Sequence, residues 1–447
     1  MVVSKMSEMT TYEKIKDSGI EWIGSVPSHW RVHTLYQLVT QVKEKNSNLQ
    51  EKNLLSLSYG KIKRKDIDSP DGLLPASFDG YNIIEDGDIV LRLTDLQNDH
   101  TSLRVGLATE RGIITSAYTT LRPIDTSNSK YLYYLLHAFD LKKGFYGMGS
   151  GVRQGLNYAE VKELRVVLPS QDEQNAIVRF LDNQCGQIDS IIEGSKSSIA
   201  EYKKWKKSLI SISVTQGIRS NPTLKDSGSP ELGLIPKHYN IASVRWLLSV
   251  LTDYTANGSF GDLAKNVVYR EQPDYARLVR LTDLRVDFSN DGVFVDEKAY
   301  NYLSKSSLYG GEILVANVGA YAGLAVEMPY VDFNATLGPN MFLVKTNADL
   351  WNQHFAYYSL IGNYCSQQLI LRANNTTAQP KLNKDNFKSI VTVLPPIQEQ
   401  REIAEYLDSQ CEYIDLIIRE KEQLLLELEK YKRSLIFETV TGKRKVV

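Results

Sequence analysis

LPSQDEQNAIVRFLDNQCGQIDSII, residues 168–192, returns as LPPIQEQREIAEYLDSQCEYIDLII at residues 394–418, without a gap and at a constant offset of 226. Carried on to Thr215 and Thr441, 21 of 48 aligned residues are identical. A repeat of this length implies two similar halves, so that whatever one half does is done twice, at two points in space. The unit extends beyond this stretch. KDSG at 16–19 recurs at 225–228, and Gly24, Pro27, His29 and Trp30 return as Gly233, Pro236, His238 and Tyr239, now at an offset of 209. The second unit therefore carries 17 more residues, all in its middle. A fixed frame encloses divergent filling.

Outward from the repeat, the two middles, 21–167 and 230–393, alternate short β-rich runs such as GDIVLRL (87–93) and GEILVAN (311–317) with Gly, Asn and Asp turns. Helical stretches at 130–139 and 350–360 intervene, so each middle reads as a mixed α/β (α+β) globule of ordinary domain size. Both globules close alike, with LNYAEVKELRVVLP at 156–169 and LNKDNFKSIVTVLP at 382–395. That pattern predicts a short helix capped by Asn, then a strand stopped by proline.

The repeated stretch itself predicts two long helices. In the second, Ile403, Leu407, Gln410, Ile414, Ile417, Lys421, Leu424, Leu428, Tyr431 and Leu435 step by four and three, a heptad seam. In the first, the equivalent seam is Ile177, Leu181, Gln184, Ile188, Ile191, Ser195, Ser198, Tyr202, Trp205 and Leu209. From Ile177 to Leu209 the rise is about 50 Å at 1.5 Å per residue, too long to bury within one globule. The economical solution packs the two helices against each other as an antiparallel coiled coil. Gln184 and Gln410 either fix its register or point to solvent. Gly194, Ser195, Ser197 and Ser198 predict loose packing or a kink midway along the first helix. The expected organisation is an N-terminal segment 1–20, a globule 21–168, a long helix 169–215, a linker 216–229, a globule 230–394, a long helix 395–441 and a basic tail 442–447.

Composition is that of a soluble globular protein: 42% of the 447 residues are hydrophobic and 23% charged, enough for two or three cores. Neither a signal-peptide pattern nor a run approaching about 18 apolar residues occurs, so a cytoplasmic location is expected. Cys185 and Cys411 are repeat equivalents without metal-ligand spacing and are expected as buried free thiols. The 52 Lys+Arg against 53 Asp+Glu leave a formal charge of −1. A protein that grips nucleic acid alone usually carries a basic face, so any DNA affinity here should come partly from a partner.

Catalytic signatures are missing. VGAYAG at 318–323 lacks the Lys and hydroxyl of a phosphate loop. HExxH, GxSxG, paired-Cys zinc spacing and the amino-methyltransferase tetrapeptides do not occur. Glu201-Tyr202-Lys203 has the nuclease-like spacing E-x-K, but its counterpart is Glu427-Leu428-Glu429, which favours a solvated helical face. His29 and His238, equivalent in P-x-H-[WY], favour a structural hydrogen bond. No metal site is expected.

What remains is material suited to bases and phosphates. SYGKIKRK at 58–65 interleaves an aromatic with cations, giving Ser58, Tyr59, Lys61, Lys63, Arg64 and Lys65 as candidates; an ordinary exposed basic turn is the alternative. Two polar loops at one place in the frame add Ser150, Arg153 and Gln154 in the first unit. In the second they add Asn374, Asn375, Thr376, Thr377, Gln379 and Lys381. Arg153 aligns with Gln379, and arginine suits guanine where glutamine suits adenine; a loop-packing role is the other reading. Arg92, Arg280, Asn317 and Tyr321 are individual candidates. The RLTDL strings at 92–96 and 280–284 lie outside the repeat register and carry no weight as a pair.

Taken together, LPPIQEQREIAEYLD at 394–408, LPSQDEQNAIVRFLD at 168–182, EWIGSVPSHW at 21–30 and ELGLIPKHY at 231–239 resemble the specificity subunit of type I restriction-modification systems, over essentially the whole chain. The resemblance implies that the globules are target recognition domains reading the two halves of a bipartite DNA site. It implies that the helices form the spacer between them, and that two modification subunits dock on the repeated frame. S-adenosylmethionine would then reside on those subunits and no cofactor on this chain, which would be non-enzymatic; restriction (motor-nuclease) subunits would join for cleavage. A non-enzymatic protein-interaction scaffold, two binding globules on a helical rod, is the alternative that fits the repeat and heptads alone.

Overall fold

A computed structural model describes residues 11–47, 49–67, 75, 77–96, 99, 103–148, 155–373 and 379–446. The chain divides into two compact units, residues 1–196 with 422–447, and residues 197–421. Two helices dominate, Gln171–Gln216 and Ile397–Val440, and each unit contains a part of both. The Gly/Ser stretch at 194–198 does not break the first helix, which is continuous over 46 residues.

In the first unit, Ile15–Asp17 and Ser25–Pro27 form an opening hairpin, so part of the segment expected to precede the globule belongs to its frame. Strand Arg31–Thr34 then pairs antiparallel with Arg165–Leu168, placing Arg31 opposite Leu168. The two ends of the globule are thus zipped together just before Pro169 ends the strand and the long helix begins. Between them lies an antiparallel sheet in the order Val39–Gln41, Thr119–Pro123, Ile89–Leu91, Val105–Leu107. Helix Ser129–Leu141 covers it, with Tyr131, Leu132, Leu135 and Leu136 wholly buried. The residues between the first strand and Ile89 build an insert packed on this sheet: hairpin Leu55–Ser58 with Lys61–Arg64, and strand Asn82–Ile84, which pairs with Gly112–Ile114.

The second unit repeats these devices. Leu224–Asp226, within the expected linker, pairs with Leu234–Pro236 as the opening hairpin. Asn240–Ser243 pairs with Val391–Leu394 to close the globule. Its sheet has the same order: Leu248–Asp253, Met341–Thr346, Ile313–Ala316, Ala325–Glu327. GDIVLRL and GEILVAN therefore supply equivalent strands, and even their buried acids correspond. Asp88 pairs with Arg122 at 2.7 Å, and Glu312 with Lys345 at 3.5 Å. The Asn caps are present too, Asn157 Oδ1 accepting from Ala159 N and Asn383 Oδ1 from Asn386 N. The filling differs. In the second unit, residues between Asp253 and Ile313 contribute three strands of another sheet, ordered Phe294–Val295, Ala276–Val279, Asn334–Leu337, Ser307–Leu308.

Within each unit the start of one long helix lies antiparallel to the end of the other. Lys432 Nζ meets Asp189 at 2.6 Å in the first unit, and Lys206 Nζ meets Asp415 at 2.6 Å in the second. Ile177, Leu181, Ile188, Ile403, Leu407, Ile414 and Leu435 are buried as the heptad reading expects. Tyr202, Leu209, Ile417, Leu428 and Tyr431 are half-buried. Elsewhere the seam is displaced by one residue. Cys185 and Cys411, both free thiols, are buried next to the half-buried Gln184 and Gln410, and Ile192 and Ile418 are buried. Ile191, Trp205 and Leu424 are 41%, 47% and 41% exposed. The buried line 177, 181, 185, 188, 192, 195, 199 steps by fours and threes with a period near 3.67, close to a straight helix, whereas strict heptads require underwinding to 3.5. Ile192→Ala should accordingly cost about 2–4 kcal/mol and Ile191→Ala less than about 1 kcal/mol in urea unfolding. The reverse order would restore the heptad seam.

Candidate nucleic-acid interface

The side chains that position each globule converge on one carboxylate. Glu173, in the first turn of the first long helix, accepts from His29 Nε2 at 2.9 Å, Tyr12 Oη at 3.2 Å and Trp30 Nε1 at 3.3 Å. Glu399 occupies the same place on the second, accepting from His238 Nε2 at 2.8 Å and Tyr239 Oη at 2.7 Å, with Arg219 Nε 3.9 Å away. The P-x-H-[WY] histidines thus have the structural role expected of them. Burial alone would raise the pKa of Glu173, but the bonds from His29, Trp30 and Tyr12 outweigh it and hold the carboxyl below its ordinary value. Burial is likewise overcome at Glu399 by Tyr239, His238 and Arg219. The adjacent glutamine ties the other end: Gln174 Nε2 donates to Pro169 O at 3.0 Å and Gln400 Nε2 to Pro395 O at 2.8 Å. A second tether joins each globule's helix to the long helix. Tyr134 and Lys130 bond Asp182 at 2.8 and 2.7 Å. Tyr358 bonds Asp408 at 2.8 Å, with His354 in the lysine's place at 3.4 Å.

On this frame the candidate contacts are placed unequally. In the first unit Ser58, Tyr59, Lys61, Lys63, Arg64 and Lys65 lie on or beside one hairpin, with Tyr59 at its tip and 80% exposed. Lys61, Lys63 and Lys65 are exposed and have no ion-pair partner among the described residues. Arg64 is held by Glu110, its Nε 2.9 Å from both carboxylate oxygens. Arg92 lies 3.7 Å from Asp99. The organiser of that stretch is a residue sequence reasoning missed. Arg104 is fully buried, and its guanidinium donates to the carbonyls of Arg92, Thr94, Asp95 and Asp99 and to Tyr146 Oη. An isolated arginine gives no sequence signal of such burial.

In the second unit Arg280 bonds the buried Asp283 at 3.1 Å, which also accepts from Asn290 at 2.7 Å, so Arg280 organises its own turn. It follows strand Ala276–Val279, whereas Arg92 follows the strand equivalent to Ile313–Ala316; the RLTDL strings are not counterparts. Tyr321 is 46% exposed, with the Arg285 guanidinium 4.3 Å from its ring centre. Gln379 and Lys381 are exposed, and the 380–382 backbone bonds to Gly319 N and Asn317 O. Asn317 Oδ1 is buried without a hydrogen-bond partner among the described residues. Asn317 and Lys381 border a cavity of about 630 Å³ whose wall includes Tyr254, Phe260, Tyr269 and Asn340. None of those four stood out in the sequence. Ser150, Arg153, Gln154, Asn374, Asn375, Thr376 and Thr377 lie outside the described residues.

Among the described residues no cluster of His, Cys, Asp and Glu is placed to hold a metal ion, and no helix is long and apolar enough to cross a membrane. What the arrangement offers is two rigid frames presenting cations, amides and aromatics.

Comparison with known proteins gives one consistent result. The family model for the type I restriction modification DNA specificity domain matches residues 78–201 and 270–427. The type I restriction enzyme MjaVIII specificity subunit of Methanocaldococcus jannaschii is 22% identical over 320 residues, 70% of either chain. The EcoDI specificity subunit of Escherichia coli is 20% identical over 335 residues, again 70% of each. A chain from a solved structure concerned with assembly and conformational transition of the type I R-M system superposes with a TM-score of 0.65 at 12% identity, covering 93% of this chain and 98% of that one. This last likeness is one of fold.

The carboxylate clamp makes a testable demand. A carboxyl whose folded pKa lies below its unfolded value stabilises the fold above the unfolded pKa, and that stability is lost as pH falls through the folded one. Glu399→Gln should therefore lower stability at pH 7 by about 1–3 kcal/mol and flatten its decline below the ordinary glutamate value of 4.5. Urea melts from pH 7 to 3 measure both; an unchanged acid limb would remove the clamp from the account.

Proposed function

Because this chain belongs to the type I restriction-modification DNA specificity family, we propose that each of its globules reads one half of a bipartite duplex DNA site. The long helices set the separation of the halves and dock two methyltransferase subunits. The chain is a specificity subunit, non-catalytic in itself. S-adenosylmethionine and adenine methylation are assigned to the methyltransferase subunits, and restriction subunits join where cleavage occurs. The observation that carries the reading is the duplicated frame around unlike inserts. Equivalent clamps and sheets hold the hairpin at residues 55–64 in one unit and a different sheet and cavity in the other. Two readers on equal mounts with different contact surfaces suit two different half-sites.

Helix length supports the spacing. Helices of 46 and 44 residues span more than 60 Å at about 1.5 Å per residue, long enough to leave several base pairs unread between the readers. The charge of −1 fits a reader whose phosphate affinity is supplemented by partner subunits. Recognition by the globules would then combine phosphate contacts that position with base contacts that specify.

Co-expression with the partner methyltransferase subunit in a host lacking adenine methylation, followed by genome-wide mapping of methylated adenines, tests the reading. The expected outcome is one split motif, two short defined halves around a fixed number of unspecified bases. A stable complex that methylates nothing, or methylates a continuous motif, would contradict it.

A further inference from the structure

We propose that Tyr59 is an aromatic wedge that stacks against the bases of the half-site read by the first globule, partly unstacking one base step. The proposal deepens the DNA-reading function and rests on it. Ser58 faces Lys61 across the hairpin, leaving Tyr59 and Gly60 as a two-residue loop. Both have positive φ, 48° and 75°, the signature of a type I′ turn. That turn favours Asn-Gly, because a bulky side chain in the left-handed region is disfavoured. Tyrosine is thus a poor choice for the backbone it occupies. Nor does packing compensate: the side chain is 80% exposed and has no aromatic, cationic or hydrogen-bonding partner among the described residues. A residue that helps neither its turn nor a core is explained by something outside the chain.

The surroundings say what that is. The hairpin is a rigid stalk: Leu55 and Leu57 are buried in a small core with Ile84, Val90 and Ile114, and Ile62 packs on it. On the strand leaving the turn, Lys61 and Lys63 are exposed on either side of Ile62, so two cations lie on the strand that runs back from the ring. An aromatic tip with lysines behind it on one strand, unpaired among the described residues, matches a polyanion with stacked bases: the lysines meet phosphates and the ring meets a π-face. A protein partner would more readily accept an apolar residue without the neighbouring cations.

The test exploits the turn chemistry. Tyr59→Asn places the residue the turn prefers, so the variant should fold with an unchanged or higher Tm. Base–aromatic stacking, at about 1–3 kcal/mol, translates into a loss of roughly 5- to 150-fold in affinity for the mapped site. This is measured with the specificity subunit assembled with its methyltransferase subunits. Tyr59→Phe keeps the ring and should bind within about threefold of wild type. 2-Aminopurine placed along the half-site should brighten at one step with wild type and stay quenched with Tyr59→Asn. Wild-type affinity in Tyr59→Asn overturns the wedge. So does a Tyr59→Phe loss as large as that of Tyr59→Asn, which would assign the contact to the hydroxyl. Wild-type complex without sequence-specific binding overturns the DNA reading itself, and the wedge with it.

Discussion

The fold depends on a carboxylate in the first turn of a long helix. Glu173 and Glu399 each gather the opening motif of a globule through histidine and one or more aromatic donors. The positive end of the helix dipole favours the negative charge there. The next residue, Gln174 or Gln400, reaches back to the proline that ends the closing strand. Two consecutive side chains thus tie one helix to both ends of its globule. The motif E-Q is a junction, in which the histidine and aromatic partners of the glutamate lie about 145–160 residues earlier in the sequence and the proline partner of the glutamine only five.

This junction separates what must be kept from what can change. With opening and closing strands paired and tied to the helix, the residues between Gln41 and Ile89 are free to build a hairpin in one unit, and those between Asp253 and Ile313 part of a new sheet in the other. Each unit is completed by the far end of the other long helix. In the first, Tyr131 Oη lies 3.1 Å from Val167 O and 3.2 Å from Val440 O. Gly442, at φ 70°, lies closer to the Pro27 ring than a Cβ would allow and leaves one only a tight fit against Trp30. Chain segments remote in sequence therefore share one core.

Much of this was legible. A repeat at constant offset marks a frame, and period-two runs around Ile89 and Ile313 mark its strands, because those signals are local. Over the middle of the helices the heptad pattern places the seam one residue early, because Gln184, Ile191 and Trp205 continue a heptad that a straight helix does not follow. The opening hairpins were missed since IKD and LKD carry no alternation that would mark a strand. Side-chain competition was also invisible: Arg64 and Arg280 are committed to Glu110 and Asp283, and Arg104 is buried where composition would place it in solvent. The exposed aromatic at Tyr59 was legible as composition, but its unfavourable backbone was not.

The function proposed above requires helix length to set the separation of the two half-sites. Inserting seven residues at matched points in both long helices keeps their faces nearly in phase and adds about 10 Å, or about three base pairs. Methylation mapping with the enlarged subunit should return the same two half-sites with a longer unread spacer. Continued methylation at the original spacing would contradict the account.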